Sequence, residues 1–329
     1  MNSSALEVIK NQLSSKITVY LDEDTYAALK KDIKDFDAKN PNSFVNRLVK
    51  NYVSDYFSAV YETVPEIMKI LSESGSGLKD ESIEEVAKQV AFVKGNVSKK
   101  SGNLKKKLNI KLGNRTVNDA IEALYSGPAS LDISAFFRNM FLSYLSLPVY
   151  KRERVIYKDE LEKIEKAIKS KEKLSYLNKE KNETHVLNPY CVEPSSFELY
   201  NYVIGESDNS RNIVSIRLSN IKDIVPVHQT ASFSDKFDPY YERMKRNGIQ
   251  FGINETGTYC VTLNEKQYAG YWKKYLDRPE IIKEERDGDL HKCYFDCSEF
   301  QIKTFFTPFA NENKHPKIEK LNEMQRTPQ

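Results

Sequence analysis

A seven-residue alternation of apolar and polar side chains occurs twice in the first half of this chain. In residues 16–22, KITVYLD, the side chains of Ile17, Val19 and Leu21 share one face. The second copy starts about 91 residues later in residues 107–113, KLNIKLG, with Leu108, Ile110 and Leu112 on the apolar face. A lone strand leaves its backbone edges and its apolar face uncovered, so we expect the two segments to pair with each other.

Two predicted helices follow each alternating segment. The first pair covers residues 25–39 and 42–57, with Asp24 or Thr25 as the first N-cap and Asn40 before the second helix. The second pair covers residues 115–127 and 133–145, with Asp132 as a cap. This order predicts two strand-helix-helix copies, residues 1–57 and 105–150, joined by a helical connector over residues 58–104.

The repeated order resembles the ribbon-helix-helix family, in which the paired strands enter the DNA major groove. The resemblance implies that the outward side chains of the ribbon contact nucleic acid: Lys16, Thr18, Tyr20, Lys107, Asn109 and Lys111. Residues 99–115 favour this function, because they hold seven cations and no carboxylate. The acidic residues 22–24 oppose it, and a solvated face carries the same residue types. The ribbon is therefore expected either to contact nucleic acid or to be purely architectural.

Residues 151–232 change character, from a charged helix to several short strands. The predicted strands cover residues 173–178, 184–194, 198–206 and 211–221, with turn residues between them. A helix followed by four or five short strands predicts a small open β-barrel.

The segments LSY, LNPY, YNYVIG and SIRLSNI in this region resemble the WYL domain, an Sm-like or SH3-like barrel of bacterial regulators. The family's naming triad falls on Asn201, Tyr202 and Val203, where two of its three letters differ. In that family a basic, aromatic groove binds a ligand that is often nucleic acid. The resemblance implies a groove formed by Tyr176, Lys179, His185, Tyr190, Tyr202, Arg211 and Arg217.

Aromatic and guanidinium groups together suit unpaired nucleotides. A tyrosine ring stacks on an exposed base, while arginine offers a planar fork for phosphate or a base edge. Two alternatives stay open. Tyr176 and Tyr202 can each be ordinary core residues of the barrel, and Arg217 can form a salt bridge with Glu198 or Asp223.

The last segments predict a helical connector over residues 233–250 and a βαββα order within residues 251–329. The predicted elements are a strand at 258–263, a helix at 264–277, a hairpin around residues 287–288 and a helix at 299–310. From Pro316 onward we expect a helix or a disordered tail. The order resembles the C-terminal extension of many WYL proteins, and the resemblance implies homodimerisation through it.

Composition and motifs exclude several classes of function. A net charge of +3 limits any nucleic-acid contact to local clusters, and the four cysteines form no CxxC pair. His291, Cys293 and Cys297 have no spacing known for a four-ligand zinc site. We predict a cytoplasmic protein with no catalytic activity, no cofactor, no metal and no membrane segment.

The predicted α+β combination of ribbon-helix-helix copies, WYL barrel and extension resembles the WYL accessory proteins of type VI-D CRISPR systems. The resemblance implies a homodimer that binds single-stranded RNA and stimulates an RNA-guided RNase of the antiviral defence. Two alternatives remain. One is a transcriptional regulator whose ribbon binds operator DNA and whose barrel senses a ligand; the other is a protein–protein scaffold.

Overall fold

The two alternating segments form one antiparallel ribbon. In the computed structural model, strand β1 (Ile17–Leu21) pairs with β2 (Lys106–Ile110), and Val19 lies opposite Leu108. The pairing expected from the repeat is therefore present. Ribbon residues alternate between buried and exposed, because successive side chains of a strand point to opposite faces.

The structure describes residues 7, 10, 11, 13–74, 79–95, 105–125, 133–195, 199–251, 256–309 and 316–321. These residues divide into two compact units, Met1–Lys158 and Asp159–Gln329. The predicted cap Asp132 and the predicted ion-pair partner Glu198 lie outside the described residues.

Apart from the ribbon, helices make up most of the described part of the first unit. Its described helices are α1 (Glu23–Asp35), α2 (Pro41–Tyr61), α3 (Val64–Glu73), α4 (Asp80–Gly95), α5 (Asn114–Tyr125), α6 (Ile133–Ser146) and α7 (Val149–Ile156). Asn40 caps α2 through a hydrogen bond from the Ser43 amide to its side chain. The predicted N-cap of α1 was wrong by two or three residues: Asp22 is the N-cap, and its side chain accepts from the Thr25 amide at 2.8 Å.

The core of the first unit lies between α2 and α6, the second helices of the two copies. Tyr52 and Tyr144 occupy corresponding positions of the repeat, and their rings meet edge to face with centroids 6.1 Å apart. The Tyr52 hydroxyl shares a 2.9 Å hydrogen bond with Ser143 Oγ. Buried aromatic pairs of this kind stabilise a packed interface beyond their area alone. The internal repeat thus brings equivalent helices together around one core.

The second unit begins with helix α8 (Lys158–Ser170) and a five-stranded antiparallel sheet. Its strands are β3 (Glu172–Asn178), β4 (Glu183–Pro194), β5 (Asn201–Ser207), β6 (Ile213–Arg217) and β7 (Ile221–Thr230), in the spatial order β6-β5-β4-β3-β7. The α+β class is confirmed, while closure of this sheet into a WYL barrel stays a prediction.

Strand β7 is missing from the predicted strands. The sequence suggests one strand over residues 211–221, but a 3-10 turn at Leu218–Asn220 ends β6, and β7 starts at Ile221. Pro226 lies inside β7, and proline removes a backbone donor, which hides a strand from pattern analysis. The proline is tolerated because β7 is an edge of the sheet.

A second sheet follows helix α9 (Phe237–Asn247). The elements are β8 (Thr256–Asn264), α10 (Glu265–Lys273), β9 (Ile281–Asp287), β10 (Leu290–Ser298), α11 (Glu299–Phe306) and β11 (Lys317–Lys320), and the sheet order is β11-β8-β10-β9. The predicted βαββα order is present, but the expectation of a helical or disordered tail from Pro316 was wrong for β11. That strand pairs with β8, so its stability comes from the sheet rather than from its own sequence.

No helix within these described ranges is both long and apolar enough to cross a bilayer.

Candidate nucleic-acid interface

A groove of about 550 Å³ opens on the first sheet of the second unit. Strands β3, β4, β5 and β6 and the turns next to them form its walls. Five of its side chains could contact an unpaired nucleotide: Tyr176, Lys181, His185, Tyr202 and Arg217. Four of these five were predicted from the sequence, and the fifth, Lys181, was not.

Tyr202 and Arg217 face each other across two paired strands. Tyr202 of β5 is the register partner of Arg217 of β6, so the two side chains lie on the same side of the sheet. The Arg217 guanidinium also lies over the ring of Tyr200, with 3.4 Å between its central carbon and the ring centroid. Stacking on Tyr200 holds the guanidinium in place, since cation–π contacts orient a flexible cation.

Tyr176 and His185 form a second aromatic pair in the groove. They are register partners on β3 and β4, and their ring centroids are 5.7 Å apart. Tyr176 is buried, and burial raises the pKa of its phenol to about 12. His185 is one-third exposed and lies 3.5 Å from a Glu183 carboxylate oxygen. Tyr176 is therefore largely core, whereas His185 is the accessible ring of this pair.

The turn between β3 and β4 adds polar groups that the sequence analysis missed. The Asn178 side-chain oxygen accepts hydrogen bonds from the backbone amides of Glu180 (3.0 Å) and Lys181 (3.2 Å). Asn220 Nδ2 donates to Glu180 Oε1 at 2.6 Å. An Asn at each end of NKEKN is a turn signal, but the partner Asn220 lies 40 positions from Glu180 and no local pattern points to it.

Arg211 lies outside the groove lining and pairs with a buried carboxylate. Its Nε is 2.6 Å from a carboxylate oxygen of Glu206, a side chain with no exposed surface. The other Glu206 oxygen accepts from the backbone and hydroxyl of Ser234, at 2.9 and 2.8 Å. A buried carboxylate needs such compensation, so the position of Arg211 is explained by folding.

Lys179 and Tyr190, two other predicted groove residues, also lie outside the lining. The backbone amide of Lys179 donates to the Asn220 carbonyl at 2.9 Å. Tyr190 belongs to an aromatic cluster with Phe233, Phe237 and Tyr241.

The ribbon presents all six predicted side chains on its outward face. Among them, Thr18 and Asn109 are register partners joined by a 2.9 Å hydrogen bond, and Lys107 Nζ lies 5.6 Å from the Tyr20 ring centroid. Lys16, Lys107, Asn109 and Lys111 are exposed. The acidic residues nearby have structural partners: Asp22 caps α1, and Glu23 pairs with Lys106 at 3.0 Å.

His291 is buried and contacts side chains of helix α10 and strand β9. Its ring stacks on Tyr268 with centroids 3.8 Å apart, and its Nδ1 lies 2.9 Å from Glu284 Oε1. Burial raises the pKa of the Cys293 and Cys297 thiols to about 12. Within the described ranges, no group of three or more potential ligands is placed to hold a metal ion.

Comparison with known proteins shows a solved structure with a CRISPR connection to be similar to this chain. A crystal structure described as a CRISPR Cas-related protein superposes with a TM-score of 0.68 and 17% identity, over 92% of this chain and 88% of that chain. The likeness shows a shared fold.

The proteasome accessory factor B/C (PafBC) of Arthrobacter aurescens superposes much less well. Its TM-score is 0.27 and its identity 11%, over 98% of this chain and 56% of PafBC, so this chain spans about half of that protein. No family model and no curated protein matches the sequence.

Proposed function

We propose that this protein is a non-catalytic, CRISPR-associated regulator that holds single-stranded RNA in the groove of its second unit. The observation that carries the proposal is the placement of Tyr202 and Arg217 as direct partners in the groove wall. It offers an aromatic face and a planar cation to the same nucleotide.

The two side chains act on different parts of the RNA. Stacking of one base on an aromatic ring contributes about 1–3 kcal/mol. The Arg217 guanidinium, oriented by Tyr200, donates to phosphate or to a base edge through its fixed fork. His185 and Lys181 add a second ring and a further cation.

The groove favours a single strand because a duplex hides its base faces in the stack. A competition assay with single-stranded RNA and duplex DNA of one sequence tests this preference. We expect RNA to displace DNA, Arg217→Ala to weaken the RNA complex by tenfold or more and Lys107→Ala to leave it intact. A groove that neutralises about five phosphates gives a log–log salt slope near −3.5. Equal loss with both variants, or no salt dependence, contradicts the proposal and favours a protein–protein scaffold.

The regulatory part of the proposal concerns a type VI-D RNA-guided RNase. It is supported by the fold shared with a CRISPR Cas-related protein and by the sequence resemblance described above. Adding the protein to the assembled RNase should raise the rate of RNA cleavage, and Arg217→Ala should remove the increase. An unchanged rate with wild-type protein would overturn the regulatory role without affecting RNA binding.

A second candidate function is operator binding by the ribbon, with the groove sensing a ligand. The outward lysines and Asn109 favour it, since these groups form hydrogen bonds with base edges in the major groove. In the same competition assay this function predicts that duplex DNA displaces single-stranded RNA. It also predicts that Lys107→Ala, and not Arg217→Ala, reduces binding.

We also propose that the protein is a homodimer, as the resemblance of the C-terminal segment implies. Sedimentation equilibrium of the full chain tests this state, and a monomer at micromolar concentration would contradict it.

A further inference from the structure

The groove contains a carboxylate, although its proposed ligand is a polyanion. Glu180 lines the groove beside Asn178, Lys181 and Asn220. A carboxylate repels phosphate and only accepts hydrogen bonds, so its partners on RNA are N–H and O–H groups. Glu180 is therefore placed to accept hydrogen bonds from a base or a ribose of the RNA, and not to contact its phosphates.

The turn that carries Glu180 is anchored at several points. Asn178 Oδ1 accepts the backbone amides of Glu180 and Lys181, and the Asn178 carbonyl accepts the Asn182 amide at 2.8 Å. The Lys179 amide donates to the Asn220 carbonyl at 2.9 Å, which ties the turn to the segment after β6. Fixed backbone contacts on both sides preorganise the carboxylate for recognition.

Asn220 has a defined orientation because of its partner. Glu180 Oε1 accepts only, so the Asn220 group that faces it at 2.6 Å is the amide nitrogen. The side-chain oxygen of Asn220, Oδ1, is then directed away from Glu180. Among the described residues, the Glu180 carboxylate makes no ion pair. Both side chains consequently offer acceptors at the groove wall.

We propose that Glu180 and Asn220 select guanine at one position of the bound strand. Guanine carries two adjacent donors, N1–H and the N2 amino group, and a carboxylate accepts both side by side. Adenine and cytosine offer one amino group on the corresponding edge, and uracil offers one imino hydrogen. A bidentate pair of this kind discriminates by about tenfold or more.

The cations of the groove allow RNA to bind in spite of the negative charge of Glu180. Arg217 and Lys181 lie in the same lining and offset the repulsion between Glu180 and phosphate. Tyr202 supplies a face for stacking, which is indifferent to base identity. Affinity thus comes from the cationic and aromatic groups, and selectivity comes from the two acceptors.

The inference rests on the proposed RNA-binding function, and the experiment separates the two. Fluorescence anisotropy is measured with a uridine decamer, the same decamer with one central guanosine, and a third with inosine there. Inosine keeps N1–H but lacks the N2 amino group. We expect the guanosine strand to bind about tenfold more tightly than either of the others.

Two charge-matched variants locate the effect. Glu180→Gln should bring the guanosine-to-inosine affinity ratio close to one, because an amide presents a donor where the carboxylate presents an acceptor. Glu162→Gln, an equal charge change on the exposed surface of α8, should keep the wild-type ratio.

Three results overturn the inference in distinguishable ways. Binding of all three decamers with equal affinity, still lost with Arg217→Ala, removes guanine selection and keeps RNA binding. A preference that survives Glu180→Gln assigns selection to other groups. Absence of binding to any decamer overturns both proposals together.

Discussion

Tyr202 and Arg217 are direct partners in the antiparallel pairing of β5 with β6, and their side chains leave the sheet on one side. Arg217 additionally lies over the Tyr200 ring. The aromatic ring of Tyr202, near the start of β5, and that of Tyr200, just before this strand, thus border the guanidinium at the end of β6. Strand register therefore makes these residues neighbours before any ligand arrives.

Replacing either partner should weaken RNA binding. We expect Tyr202→Ala and Arg217→Ala each to reduce affinity for a single-stranded decamer by tenfold or more, since stacking and a charge-assisted contact each contribute about 1–3 kcal/mol. The double variant should lose less than the sum, because the side chains contact one nucleotide. Anisotropy titrations measure all three. Arg246→Ala, an exposed arginine outside the groove lining, is the control and should bind normally.

Arg211→Ala should lower stability rather than RNA affinity. Removing the guanidinium deprives the buried Glu206 carboxylate of its 2.6 Å partner, which costs about 1.5–3 kcal/mol of unfolding free energy. Urea denaturation measures the loss, and the folded variant should bind RNA as the wild type does. Normal stability combined with lost RNA binding would instead place Arg211 in the ligand site.

Gly205→Ala should destabilise the first sheet of the second unit. A Cβ at this position would lie 2.3 Å from the Asn188 carbonyl oxygen, so the backbone has to shift. Overpacking of this kind costs about 1–3 kcal/mol, to be measured by urea denaturation. The matched control is Gly113→Ala, where the nearest atom would be Asn46 Oδ1 at 3.6 Å. Equal stability of the two variants would contradict the close approach of β4 and β5.

Three thiols should remain unreactive in the folded protein. Burial raises the pKa of Cys191, Cys293 and Cys297 to about 12, so the thiolate is scarce at pH 8. Ellman's reagent should therefore modify them slowly until a denaturant is added. Rapid modification of all three in native protein would contradict their raised pKa values.

The same thiols predict a loss of stability in alkali. Each of these thiols has a higher pKa in the folded protein than its unfolded value of about 8.5. Its contribution to the free energy of unfolding is therefore fully present below about pH 8.5. The contribution is lost as pH rises toward 12. The urea midpoint should accordingly fall over this range, and replacing Cys297 by Ala should reduce the size of the fall. An unchanged midpoint up to pH 11 would contradict the shift.

Several elements followed from short sequence patterns. The ribbon strands have strict alternation, α2 has Asn40 before Pro41, and the hairpin of β9 and β10 has a glycine in its turn. Each of these signals acts over a few residues. Strands β7 and β11 were not predicted because Pro226 interrupts one pattern and the other strand is stabilised by pairing with β8.

The sequence by itself determined the repeat, the α+β class and the chemical types of side chain available to a groove. Only the tertiary structure decided which of those side chains meet. Register placed Arg217 beside Tyr202, and burial of Glu206 drew Arg211 into a structural ion pair. The tertiary structure also placed Asn220 in contact with Glu180, which lies 40 positions away in the sequence. Local propensity acts through neighbouring residues, whereas a binding site depends on long-range pairing and desolvation, which no short segment encodes.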